Sequence, residues 1–296
     1  MSDLGALLTA IVTPFADPSS GSRKLKPAVD EEAFTRLHHH VIEQGSDGIV
    51  ACGTTGEAST LDDDEHLRVI ELAVQNKPAG TTVIAGAGSN DTAHAVYLTE
   101  RATELGADAI LSVTPYYNRP NRQGLVRHYE EIARATDKPI VLYNIPHRAG
   151  LDLSNEFLAE LAQIDGISAV KQANPANLAL IDGLELYAGD DDVLGKVMDL
   201  GGAGGICTAS HLVGAKFRQI IDDPSSRASV TAELAPLFAG LSAGPLAVSV
   251  KAALVMQGIL ERATVRLPYA ELTDGELAQV REGLAAVGAL STEARA

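Results

Sequence analysis

The stretch Gly166-Ile167-Ser168-Ala169-Val170-Lys171-Gln172-Ala173-Asn174 is the place from which the fold can be read. It has the form of a short strand: apolar, bounded by Gly166 and Pro175, with one lysine near its C-terminal end. Strand alternation puts Ala169 and Lys171 on one face and Val170 on the other. An unpaired ammonium in a core strand is costly, so this lysine needs a reason. Desolvation lowers a lysine's pKa, and the neutral amine can then attack a carbonyl. A strand-end lysine can also snorkel to solvent and do no chemistry. The strand alone leaves both readings open.

Seven similar apolar runs surround it: Leu8–Val12, Gly48–Cys52, Thr82–Ala85, Ala109–Val113, Ile140–Tyr143, Leu184–Ala188 and Gly205–Thr208. The segments Glu31–Glu43, Asp64–Gln75, Ala93–Leu105 and Gln123–Ala135 carry apolar residues at three- and four-residue spacing, as amphipathic helices do. Alternating strands and helices imply a parallel sheet, and eight such units suggest a closed (β/α)8 TIM barrel. The interval between runs shortens around the seventh, leaving room there for one short helix at most. After Ala209 the chain continues in helix-like segments. The expected organisation is therefore an α/β barrel over 1–224 carrying the active site, with a C-terminal helical extension over 225–296 packed on it.

The 296 residues suit one barrel of about 250 residues plus an extension. A formal charge of −16 argues against a nucleic-acid or anionic-membrane partner. Cys52 and Cys207 are the only cysteines, too far apart for a metal motif, and read as reduced core residues of a cytosolic protein. Met1-Ser2-Asp3 carries no basic region, and the apolar run Leu7 to Val12 stops at Thr13-Pro14. That is too short for a signal peptide or membrane span, so a cytoplasmic location is expected.

Several clusters have plainer explanations than chemistry. Asp62 with Glu65 is a helix capping box, and acids in a first turn complement the macrodipole, so Asp62-Asp63-Asp64-Glu65 is not read as a metal site. Asp190-Asp191-Asp192 reads as a strand-to-helix turn. The histidines of His38-His39-His40 face different ways on a helix. Gly201-Gly202-Ala203-Gly204-Gly205 could cradle a phosphate or simply turn tightly into a strand, and no dinucleotide or Walker pattern is present. No metal site is expected.

Barrel active sites lie at the C-terminal ends of the strands. There the sequence places Gly53-Thr54-Thr55-Gly56-Glu57, Thr114-Pro115-Tyr116-Tyr117-Asn118-Arg119-Pro120, Tyr143-Asn144-Ile145-Pro146-His147-Arg148, and Lys171. This set offers a nucleophile, phenols, hydroxyls and a guanidinium. A lysine condensing with a keto acid needs a proton donor and acceptor nearby, which a tyrosine joined to hydroxyls can supply. Arg148 could hold a substrate carboxylate through paired hydrogen bonds.

These four motifs, in this order, resemble the dihydrodipicolinate synthase / N-acetylneuraminate lyase family, from Ala10-Ile11-Val12-Thr13-Pro14 through Gly189-Asp190-Asp191 to the C-terminal helices. The resemblance implies a pyruvate-dependent class I aldolase on a (β/α)8 barrel, a homotetramer built from tight dimers, with no metal or organic cofactor. Carried over by position, Lys171 would form the Schiff base with pyruvate. Tyr143 would be its acid/base partner, linked through Thr54 to Tyr117 in a proton relay, with Tyr117 crossing the dimer interface. Thr55 would bind the pyruvate carboxylate, and Gly189 and Ile206 would line the pyruvate pocket. Arg148 would receive the carboxylate of L-aspartate-4-semialdehyde. With Tyr116-Tyr117 it favours the synthase branch, which makes 4-hydroxy-tetrahydrodipicolinate for lysine and diaminopimelate, over the sialic acid lyases.

The chain departs from the family pattern at Gln172, where an acid is usual, at Ala149, where Thr or Ser is common, and over Pro245–Lys251. At the family's lysine-feedback site His66, Asn90 and Tyr116 match. Ala58, Asp63 and His94 stand in place of Ser, His and Glu, which implies weak or absent inhibition by lysine. The alternatives are an aldolase or lyase of the same family acting on a sugar acid, for which Arg148 would have no carboxylate to bind, and a non-catalytic keto-acid-binding paralogue.

Overall fold

Eight parallel strands close on themselves in sequence order, each paired with its neighbours and the last with the first. The computed structural model describes residues 4–17 and 26–290; the Met1-Ser2-Asp3 reading and the last six residues of the expected 225–296 extension lie outside them. The order is β1 (Leu7–Ala10), α1 (Glu31–Glu43), β2 (Gly48–Ala51), α2 (Asp63–Gln75), β3 (Thr82–Gly86), α3 (Thr92–Glu104), β4 (Ala109–Val113), α4 (Arg122–Arg134) and β5 (Ile140–Asn144). It continues through α5 (Pro146–Ala149), α6 (Asn155–Leu161), β6 (Ile167–Gln172), β7 (Glu185–Ala188), α7 (Leu194–Asp199), β8 (Gly204–Cys207) and α8 (Ser210–Asp222). Three further helices follow: α9 (Arg227–Leu241), α10 (Leu246–Met256) and α11 (Asp274–Ala286).

The helices begin where their capping residues stand. Asp30, Asp62, Asp91, Asn121 and Ser154 each accept a hydrogen bond from a backbone N–H of the first turn, satisfying donors that have no partner within the helix. The Asp62–Glu65 capping box is reciprocal, as its spacing implies. Between β6 and β7 there is room only for a single 3-10 turn at Pro175–Asn177, and α7 has six residues, in line with the short spacing there.

Period-two alternation divides the apolar residues into two layers. Leu8, Val50, Ile84, Leu111, Val141, Ala169 and Ile206 fill the barrel interior. Ile49, Val83, Ile110, Leu142 and Val170 face the surrounding helices. Lys171 shares a register row with Tyr143 on one side and Tyr187 on the other, so it belongs to the interior set, near the C-terminal end of the barrel.

Three strands end earlier than their apolar runs; of these, β2 stops at Ala51, one residue short of Cys52. β1 stops at Ala10, although Ile11 and Val12 remain buried. β8 runs from Gly204 to Cys207 rather than Gly205 to Thr208, because the backbone N–H of Thr208 is taken by the Asp191 carboxylate. The glycine run before it is there for close approach: a Cβ at Gly204 would lie 1.9 Å from the Ala6 carbonyl oxygen.

Among the described residues no single helix is long and apolar enough to cross a membrane. α9 and α10 have the composition together but are bent by 106°, and eight of the α10 residues are buried. One of these is Lys251, which forms an ion pair with Glu57, both side chains essentially without exposed surface. Lys251 also donates to the Thr264 carbonyl at 2.9 Å and lies 4.1 Å from the centroid of the Phe15 ring. The other Glu57 oxygen accepts from the Arg266 backbone N–H at 3.2 Å. Arg266 also packs on the Phe15 ring, 4.2 Å from its centroid, and forks onto both oxygens of Glu65 at 2.8 Å each. Burial pulls the Lys251 ammonium down to about 8 against the opposing charge of Glu57.

Lys251→Met leaves a carboxylate buried without its partner, a situation that costs about 3–5 kcal/mol. Chemical denaturation should show a loss of that order, and the Glu57→Gln/Lys251→Met double variant should recover part of it. A single variant as stable as the unaltered protein would show that the pair does not hold the extension in place.

Candidate active site

Strand alternation delivers Lys171 to the barrel interior and closure of the sheet encloses it: the residue is 5% exposed. That burial excludes snorkelling to solvent. Its Nζ lies 4.3 Å from the centroid of the Tyr143 ring, which projects from the neighbouring strand in the same register row. No ion pair to Lys171 is present among the described residues. The acids whose charges reach it are Asp190 and Asp191, at the end of β7.

Thr55 follows β2, is 8% exposed, and has its hydroxyl 3.4 Å from that of Thr208 at the end of β8. Gly189 follows β7 and donates its N–H to the Gln172 carbonyl at 2.9 Å; a Cβ there would sit 2.7 Å from the Gln172 carbonyl oxygen. Ile206 is fully buried in the interior layer. Lys171, Tyr143, Thr55, Gly189 and Ile206 thus come from five strands or their immediate ends.

A cavity of about 340 Å³ opens beside this group, and Thr54, Tyr143, Tyr116, Ala149 and Arg148 line it. Lys171 is not among its lining residues; its amine lies over the ring of Tyr143, which is. Arg148 is exposed on the short α5. Tyr117 is 90% exposed, on a left-handed backbone with φ of 71°, and does not line the cavity. Within the described residues of one chain no hydrogen bond joins Tyr143, Thr54 and Tyr117. The same cavity continues to Asp63, His66, Ser89 and His94. His94 pairs with Asp63 through Nε2 at 3.0 Å and meets Ser89 through Nδ1 at 3.2 Å, while the His66 ring donates to the Gly86 carbonyl at 2.7 Å.

Gln172, on the opposite side of the strand from Lys171, accepts from Asn144 Nδ2 at 3.0 Å and from the Asn174 N–H at 3.1 Å. It does not reach the cavity. Among the described residues no group of three or more histidine, cysteine or acidic side chains is placed to hold a metal ion.

Three residues near the site had no role in the sequence reading. Asp191 accepts from the Thr208 N–H at 2.7 Å and the Ala209 N–H at 2.9 Å. His211 Nε2 accepts from the Val12 N–H at 3.2 Å, so Nδ1 carries the proton and donates to the Thr208 carbonyl at 2.7 Å. Thr208 is the point on which both converge. The acidic run at 190–192 marks Asp191 in the sequence, but without its partners in view a strand-to-helix turn is the better reading of it.

A buried primary amine beside a phenol, at the C-terminal mouth of a TIM barrel, defines a site able to condense with a carbonyl compound. A profile of the Dihydrodipicolinate synthetase family matches residues 3–287, and the chain belongs to that family. A 4-hydroxy-tetrahydrodipicolinate synthase of Thermosynechococcus vestitus is 36% identical, the match covering 99% of this chain and all of that one. The chloride-inhibited dihydrodipicolinate synthase of Acinetobacter baumannii, solved with pyruvate, superposes with a TM-score of 0.90 at 35% identity, covering 97% of this chain and 100% of that one. A monomeric dihydrodipicolinate synthase variant superposes with a TM-score of 0.89 at 30% identity, covering 97% and 98%.

Burial of histidines gives the fold a pH dependence. It holds His211, His38 and His128 down to about 4, so each stays neutral in the folded chain while the unfolded chain gains protons below about 6.5. Stability contributed this way is present above pH 6.5 and is lost as pH falls towards 4. Asp191 acts in the opposite sense: burial, outweighing its two backbone donors, pushes it up to about 6, so its contribution to stability grows as pH falls through 6. Burial also lowers His66 and raises Asp190, so four histidines against two aspartates give a falling urea midpoint between pH 6.5 and 4.5. A level midpoint across that window would contradict the neutral buried histidines.

Proposed function

We propose that this chain is a Schiff-base 4-hydroxy-tetrahydrodipicolinate synthase, condensing pyruvate with L-aspartate-4-semialdehyde in lysine and diaminopimelate synthesis. The observation that carries the reading is the enclosed Lys171 amine against Tyr143, in a chain of this family. In the reaction, the Lys171 amine adds to the pyruvate ketone, and loss of water gives an iminium. Removal of a methyl proton gives the enamine, whose carbon attacks the semialdehyde. The substrate's own amine then closes the ring at the former ketone carbon and releases Lys171.

Tyr143 moves protons at the nitrogen and at the carbinol oxygen, with Thr54 and Tyr117 completing its relay once a second chain is present. Thr55 binds the pyruvate carboxylate, and Gly189 and Ile206 line its pocket. Arg148, at the cavity mouth, takes the carboxylate of the semialdehyde by paired charge-assisted hydrogen bonds. The segment 225–296 serves as an extension of the 1–224 barrel, and the location is cytoplasmic.

Borohydride added with pyruvate should fix the keto acid to the unaltered chain and not to Lys171→Ala; trapping in that variant would move the nucleophile elsewhere. Pyruvate consumption should follow aspartate semialdehyde and not N-acetylmannosamine or glyceraldehyde, whereas turnover only with a sugar aldehyde would keep the chemistry and replace the substrate. In that assay L-lysine should inhibit weakly or not at all, since His94 and Asp63 already pair with each other in the cavity. Micromolar inhibition would overturn that part.

The assembly is a homotetramer of tight dimers in which Tyr117 reaches the neighbouring site. Its nearly full exposure on a left-handed backbone supports this, since such a conformation costs of order 1–3 kcal/mol and persists where something else requires it. Sedimentation should give a species of four chains, and dilution to monomers should lower activity per chain. A fully active monomer would remove Tyr117 from the relay.

A further inference from the structure

We propose that Asp191 is a positioning residue for keto-acid binding: it fixes the turn after β8 so that Thr208 holds the Thr55 hydroxyl in place. The inference rests on the role given above to Thr55.

The two oxygens of Asp191 are used separately, Oδ1 by the Thr208 N–H at 2.7 Å and Oδ2 by the Ala209 N–H at 2.9 Å. Two consecutive N–H groups on two oxygens of one carboxylate fix both the position and the tilt of that turn. They lie just before the start of α8, where an anion is also favoured by the helix dipole. The carbonyl of Thr208 is held from another side by His211, which is itself anchored on the Val12 N–H beyond β1. Thr208 therefore has its N–H and carbonyl both engaged, and its hydroxyl is left to meet Thr55 at 3.4 Å.

The chain uses a carboxylate here for a reason of hydrogen-bond count. An asparagine offers one oxygen, and its NH2 group would face the second N–H donor. One donor would then lose its acceptor, and the turn would shift to relieve it. Both Asp191 oxygens are occupied by these backbone donors, so its effect passes through Thr208 to Thr55.

The test measures how the rate of borohydride trapping depends on pyruvate concentration, using the full-length protein and the variants Asp191→Asn, Thr208→Ala and Asp191→Asn/Thr208→Ala. Asp192→Asn, altering the exposed neighbour, serves as the control. Asp191→Asn should raise the half-saturating pyruvate concentration about tenfold or more, with the trapping rate at saturation changed by less than about twofold. Thr208→Ala, which removes the contact itself, should raise it at least as much, and the double variant should be no worse than Thr208→Ala, because both changes act on one contact.

An unchanged half-saturation in Asp191→Asn, even with a lowered melting temperature, would reduce Asp191 to a structural residue and overturn the proposal. Should that variant fail to fold, Thr208→Ala decides alone, and an unchanged half-saturation there has the same force. Absence of trapping in the unaltered protein would instead remove the functional reading on which this one stands.

Discussion

The buried pair of Glu57 and Lys251 ties the working end of the barrel to helices 194 residues further along the chain. Glu57 ends the loop that carries Thr54 and Thr55, and its backbone sits in the left-handed region, with φ of 55°. A non-glycine residue stays there only when its surroundings demand it. Here the demand is electrostatic: a carboxylate without exposed surface must keep its ammonium, and that ammonium comes from α10. The C-terminal helices are thus part of what shapes the threonine loop. A barrel without them would leave Glu57 either unpaired in the interior or turned out to solvent, with the loop displaced.

Closure of the sheet sets the other condition. Parallel strands in a closed barrel alternate between an interior layer and the layer under the helices, and neither meets water. An amine can be placed in the interior only close to the strands' C-terminal ends, where polar groups from neighbouring strands are within reach. Lys171 stands there, one strand from Tyr143 and with the Asp190–Asp191 turn beyond. The same alternation sends Gln172 outward to Asn144, so the residue next to Lys171 in sequence belongs to a different environment.

What could be read in advance was local. The capping box at Asp62, the helix Glu31–Glu43 and the inward face of Lys171 each follow from spacings of two to four residues, which the backbone converts directly into geometry. Partners distant in sequence leave no such trace. Glu57 shows nothing that points to Lys251, and Asp191 looks like any acid in a turn until the strand after it brings Thr208 back beside it. Strand ends fall between these cases: β8 stops one residue short of its apolar run because a side chain, rather than the next strand, takes the Thr208 N–H. The outward Tyr117 could not be read from local pattern either, since its exposure depends on a backbone angle that a tyrosine rarely adopts.

The acidic character of the chain takes on a particular meaning at the site. Of the acids near the threonines, Glu57 is neutralised by an ammonium and Asp191 is engaged by two backbone N–H groups, so neither is free to repel an incoming anion at close range. Both are used to hold backbone in position. Thr55 is thereby constrained from two directions, through its own loop by Glu57 and from beyond β1 by Thr208. The cation at the cavity mouth, Arg148, stays exposed and able to meet a carboxylate from solution. A net charge of −16 is compatible with binding small anions because the two acids that shape the threonine turns already have their partners inside the fold.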